Sequence, residues 1–369
     1  MATPPTLPSS SRRHDVDWVR VIALFLLIIY HLAIAFQPWA HKIYYIQSEQ
    51  PLTAIWLPLA ALNIWRIPIL FLISGMGLRF SLQRRTPARL LGERSFRILL
   101  PFLFAILVLG PLNALLYLNY YQQPLTYIPN AGHAWFLGNI FLYVLLTFPL
   151  VLLYKKFPHN PLAKLARSLF QHPASLLILL PLPFALEGLL VQPDYYSNFA
   201  ETPHGFWTGL LSFLLGFLIA DLGDTFARST RQLRFLTLTL ASILFAIRLL
   251  VFEIDHALPA ITGIESILWM LTALGFASQH LNQDSPLLQR LSPAVFPIYL
   301  LHFPVQYLVY TLILPLPWPP LLQFLTTIPL TFLLSWLLYE LLRRISFLRP
   351  LFGMKYRTPP PTPPATTPS

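Results

Sequence analysis

Hydrophobic residues fall into ten long blocks, near residues 18–38, 55–78, 97–118, 134–154, 174–191, 206–220, 233–252, 259–278, 294–314 and 319–342. Most of them approach the ~20 apolar residues that a helix needs to cross ~30 Å of hydrocarbon. The pattern predicts an all-α polytopic membrane protein of about ten transmembrane helices, with the lipid bilayer as its surroundings. Pro181 and Pro183 interrupt the fifth block and predict a kink, whose freed backbone groups buried neighbours must satisfy. The sixth block is short and the eighth has soft edges. No period of 20–50 residues repeats along the chain. The first block runs from Trp18 to Phe36 and ends in Gln37-Pro38-Trp39, which reads as a retained span and not a cleaved leader.

The polar segments between blocks set the orientation. Of the 25 basic residues, three (Arg20, Arg66 and Arg248) fall inside blocks, and the outer loops hold only Lys42. The others lie in alternate, inner segments, most densely at Arg79, Arg84, Arg85, Arg89, Arg94 and Arg97. The outer segments carry Glu49, Asp194, Glu201, Glu253 and Asp255. Basic residues stay on the cytoplasmic side, so this bias predicts an even number of spans with both ends in the cytoplasm of a cell-membrane protein.

Composition sharpens the class. Apolar residues make up 56% of the chain and charged residues 11%, against about a quarter charged in soluble domains. There is no cysteine, which excludes disulfides, thiolate nucleophiles, zinc-thiolate sites and S-acyl relays. The net charge of +11 does not imply nucleic acid, because the cations sit in segments that set topology. Residues 1–11 read as a disordered Pro/Ser/Thr-rich segment, 12–345 as the membrane domain and 346–369 as a Pro/Thr-rich cytoplasmic tail.

Ionisable groups inside spans cost several kcal/mol on insertion scales and are candidates for function. Arg20 and His31 lie eleven residues apart in the first block. That spacing is about 20° past three helical turns and ~16 Å of rise, so both face one side. Arg20 sits near the inner surface, where pairing with Asp17 is the plainer reading. His31 is deep among Ile28, Ile29, Leu32 and Ile34. A neutral imidazole there suits a general base, and an interhelical hydrogen bond is the structural alternative. Arg66 lies in mid-span, too deep to snorkel, and suits an anionic or carbonyl oxygen. Ser74 joins the substrate-binding set, with close packing of Ser74-Gly75 as the other reading. His302 is mid-depth in the ninth block with Tyr299 three residues before it, and His133 and Trp135 open the fourth block at the outer surface. Arg248 and Glu265 read as a structural pair. Glu187 is a candidate for contact with an external substrate. Glu340 reads as the partner of Arg343 or Arg344.

Asp17-Trp18-Val19-Arg20 followed by His31 resembles the Arg-x10-His signature of the membrane acyltransferase 3 family. Phe71-Leu72-Ile73-Ser74-Gly75 resembles that family's Phe-Phe-x-Ile-Ser-Gly segment. His133-Ala134-Trp135-Phe136 and Tyr299-Leu300-Leu301-His302-Phe303-Pro304 are similar to the His-x-Trp-Phe and Tyr-x-x-His-x-Pro pieces of the branch containing the periplasmic-glucan succinyltransferases. The resemblance implies ten spans, acyl-CoA as co-substrate, a carbohydrate acceptor, and a need for Arg20 and His31 in activity. Met76-Gly77 departs from the bulky or aromatic residue common in the family.

On this reading the arginine-rich loop holds the donor's phosphates and Arg20 its pantetheine side. His31 acts as general base or acyl carrier. Arg66, or Tyr299 with His302, stabilises the oxyanion, while His133 and Trp135 face the acceptor. No bound cofactor and no metal are expected. The competing class is a transporter or flippase of a lipid-linked sugar, but the broken helices in matching halves that many transporters show are not found.

Overall fold

A computed structural model describes residues 13–157, 164–165, 168–170, 172–254 and 256–356. The first block folds as α1 (His14–Ile34), beginning before the predicted edge. Asp15 and Asp17 occupy its first turn, where the helix dipole favours acids, and Arg13 holds Asp15 at 2.6 Å.

The second block is two helices, α2 (Trp56–Asn63) and α3 (Arg66–Arg84), broken at Ile64 and Trp65. A break at this depth strands backbone carbonyls that need donors from the protein. Ser266 donates to Ile64 O at 2.9 Å, Arg248 to Ala60 O at 3.0 Å and Arg66 to Asn63 O at 3.4 Å. Next comes α4 (Pro87–Tyr120), which carries π-helical stretches at Ser95–Leu99 and Ala105–Leu109. Pro111 withholds the N–H that Leu107 O would normally accept, and Tyr127 donates to that carbonyl instead, at 2.8 Å.

The chain continues through α5 (Trp135–Lys156), α6 (Pro173–Leu179) and α7 (Pro181–Val191). The kink predicted in the fifth block is the break at Leu180. Then follow α8 (Pro203–Ile219), α9 (Gly223–Leu250), α10 (Pro259–His280), α11 (Pro286–Ile313) and α12 (Pro320–Leu342). Among the described residues nine helical stretches are long and apolar enough to cross a membrane, one of them the 48-residue run Pro203–Leu250. That run turns back on itself. Asp221, in its bend, meets Arg79 at 2.7 Å, while Arg248, near its end, reaches Ala60, so α8 and α9 make separate passes. The chain is an all-α polytopic membrane protein.

Packing follows small residues. A Cβ at Gly216 would lie 1.9 Å from Leu72 O, and one at Gly75 1.9 Å from Phe213 O, so the backbones of α3 and α8 touch. α9 packs along α10, and α1 against α11. Past α12 the chain folds back onto the bundle at Arg349–Phe352, with Phe352 buried and 5.3 Å edge-on from Phe104. The boundary expected at 345 therefore falls within packed chain. The segment 1–11 and the Pro/Thr-rich stretch from 357 lie outside the described residues.

Candidate active site

Four predicted residues from three segments meet inside the bundle. α1 brings His31, the turn before α5 brings His133, and α11 brings Tyr299 and His302. His31 Nδ1 lies 3.0 Å from His302 Nε2, with the two rings 5° from coplanar. His302 Nδ1 lies 2.6 Å from Tyr299 O. A carbonyl only accepts, so Nδ1 of His302 carries a proton and neutral His302 presents a lone pair at Nε2. His31 then donates from Nδ1 and keeps its lone pair on Nε2, a tautomer assigned from this network. His302 is fully buried, and His31 is partly exposed.

The surrounding groups hold these rings in place. Phe303 packs edge-on to His31 at 5.3 Å and stacks on His133 at 4.6 Å. Tyr299 Oη donates to His133 O at 2.5 Å, and Tyr310 Oη lies 3.2 Å from the carbonyls of both His31 and Leu32. Neither ring nitrogen of buried His133 has a hydrogen-bond partner among the described residues.

Arg66 is the first residue of α3 and is 4% exposed. Its guanidinium carbon lies 3.4 Å over the centre of the Tyr30 ring. It has no carboxylate within ion-pair distance among the described residues. With the Tyr30 ring and Asn63 O as its contacts and no carboxylate beside it, this buried guanidinium is suited to meet an anionic or developing negative charge. Above this region sits Tyr45, whose phenol is pushed well above its ordinary range by burial and by Tyr307, Tyr310 and Tyr30, against the opposing pull of Arg66.

A cavity of about 1250 Å³ opens at the arginine-rich end. Its inner wall is apolar, with Leu24, Leu70, Ile73, Phe136 and Leu137. Its mouth holds eight basic side chains (Arg20, Arg85, Arg94, Arg97, Arg290, Arg343, Arg349 and Lys355) against Glu93 and Glu340. Of the predicted residues Arg20, Ser74 and Tyr299 line it. Arg20 is held by Asp17 at 3.2 Å and Ser292 Oγ at 2.6 Å, and Ser74 donates to Leu70 O at 2.7 Å. His31, Arg66, His133, Trp135 and His302 are not among its lining residues; the cavity reaches Tyr299, whose ring is 5.9 Å from that of His302. Trp135 stands toward Phe71, 6.3 Å away.

The family model described as "Acyltransferase domain", Acyl_transf_3, matches residues 13–340. The chain belongs to this acyltransferase 3 family. It is a membrane acyltransferase. No curated protein matches it by sequence.

Other polar residues of this acyltransferase are structural. Arg248 and Glu265 pair at 2.7 and 3.1 Å, with Trp269 donating to Glu265 at 3.2 Å. Glu340 pairs with Arg343 at 2.7 Å. Glu187, a candidate for substrate contact by sequence, is buried against His204 at 2.8 Å, and the second ring nitrogen of His204 donates to Tyr196 O. Only part of the arginine cluster faces the cavity. Arg79 pairs with Asp221, and Arg85 and Arg89 both pair with Glu93, while Arg85, Arg94 and Arg97 line the mouth. The sequence reading missed Arg290, Ser292, Arg349 and Lys355, whose position depends on how α11 and the C-terminal segment pack.

Proposed function

We propose that this membrane acyltransferase moves an acyl group from acyl-CoA to a hydroxyl of a sugar or glycan, with His31 as general base. The observation that carries this reading is the relay from Tyr299 O through His302 to His31, which leaves the Nε2 lone pair of His31 to accept a proton. A positioned base of this kind, its other nitrogen oriented by a third group, is the common arrangement for activating a hydroxyl.

The donor sits with its phosphates at the basic mouth and its thioester arm along the apolar wall toward Tyr299. The acceptor enters from the opposite, extracytoplasmic side of a cell membrane, by way of Trp135 and His133. His31 Nε2 takes the hydroxyl proton as the oxygen bonds to the acyl carbon. Arg66 stabilises the resulting oxyanion. Collapse of that intermediate breaks the carbon–sulfur bond, and His31 returns its proton to the departing thiolate. Proton and electron pairs balance without a bound cofactor.

Purified protein given labelled acyl-CoA and candidate sugars tests the assignment. His31→Ala is expected to lose transfer while inserting and melting as the parent does; retained transfer in that variant removes the proposal. Mass spectrometry of surface glycans with and without the gene identifies the acyl group and the acceptor together.

A further inference from the structure

The family match ends at residue 340, yet the chain beyond it returns to the cavity. Arg349, Gly353, Met354 and Lys355 all line the cavity. The segment is locked in place. Pro350 and Phe352 are buried, and Arg97 donates to Gly353 O at 3.4 Å. Arg349 staples the turn by donating to Arg343 O at 2.8 Å and to Lys355 O at 2.7 Å. Gly353 has φ +67°, and a Cβ there would lie 2.5 Å from the Phe296 ring. A side chain at 353 is thus excluded by conformation and by space together. Lys355 is the exposed charge at the end of this strap, at a mouth already rich in arginine.

We propose that residues 349–355 are part of the donor site: they close the mouth of the cavity, and Lys355 contacts the phosphates of the bound nucleotide thioester. The inference rests on the donor reading given above. The strap adds to the cavity a wall from beyond the matched residues, and a cation at its mouth. Arg349 acts as a positioning residue, because its donors tie the strap's Lys355 O to Arg343 O at the end of α12.

The absence of cysteine allows a direct test. A single thiol introduced by Val295→Cys lines the cavity, and its alkylation by a maleimide is timed in the full chain with increasing coenzyme A. Coenzyme A is expected to slow labelling in a saturable way, and Lys355→Ala is expected to raise the half-protecting concentration by about two- to fivefold, the upper range for one exposed ion pair. Gly353→Val, which displaces the strap, should speed labelling without coenzyme A and weaken protection further. If coenzyme A protects the parent and both variants equally, the strap has no part in the site and the donor reading stands. If coenzyme A fails to protect the parent, the donor reading falls, and the role of Lys355 with it.

Discussion

Replacing His302 tests the catalytic geometry most sharply. Leu at this fully buried position keeps the volume but deletes two hydrogen bonds, one of 3.0 Å to His31 and one of 2.6 Å to Tyr299 O. The first becomes charge-assisted when His31 takes a proton, and such bonds contribute about 1.5–3 kcal/mol. At ~1.4 kcal/mol per factor of ten, His302→Leu should lower kcat by about 10- to 150-fold. KM for the donor should hold, because His302 does not line the cavity. Gln retains an oxygen that accepts from His31 Nδ1 and an amide that donates to a carbonyl, so His302→Gln should recover much of the loss. Turnover of labelled acyl-CoA and the melting temperature are measured together. Wild-type kcat in His302→Leu, or equal losses in the Leu and Gln variants at unchanged melting temperature, refutes the tautomer argument.

Three further outcomes bear on the fold. Arg248→Met should destabilise the protein by about 3–5 kcal/mol by stranding buried Glu265, and the double change with Glu265→Leu should recover most of that loss in reversible unfolding. Gly216→Ala should cost about 1–3 kcal/mol or more, read as a lower melting temperature, because its methyl meets Leu72 O. The raised Tyr45 phenol binds its proton more tightly folded than unfolded, so its stabilisation is complete below pH ~10 and declines above it. Tyr45→Phe should therefore lose stability less steeply above pH ~10, by up to ~1.4 kcal/mol per pH unit, in alkaline unfolding curves.

Much of the architecture was legible because each span must satisfy its backbone and face lipid with apolar side chains. Pro181 announced the break at Leu180 for this reason. The break before Arg66 carries no such signal. It is possible only because Arg248 and Ser266 arrive from α9 and α10 to bond the freed carbonyls, and those partners lie about 190 and 200 residues away along the chain. Glu187 shows the same limit. A buried acid reads as functional until His204, seventeen residues on, is seen to pair with it.

α11 links the two halves of the site, and its sequence explains why. Pro293 and Pro297 face the cavity, Tyr299 forms its end, and His302 one turn further on holds His31. Pro304 then withholds the N–H that Leu300 O would accept. A helix built for stability alone would carry neither three internal prolines nor a buried histidine, since each leaves polar atoms to be satisfied from outside the helix. Local rules broken together, in a helix whose central residues are buried, mark a site under functional constraint. The basic cavity and the proposed base are thus tied to successive turns of one helix, so a shift of α11 that moves Tyr299 also moves the acceptor nitrogen on which the tautomer of His31 depends.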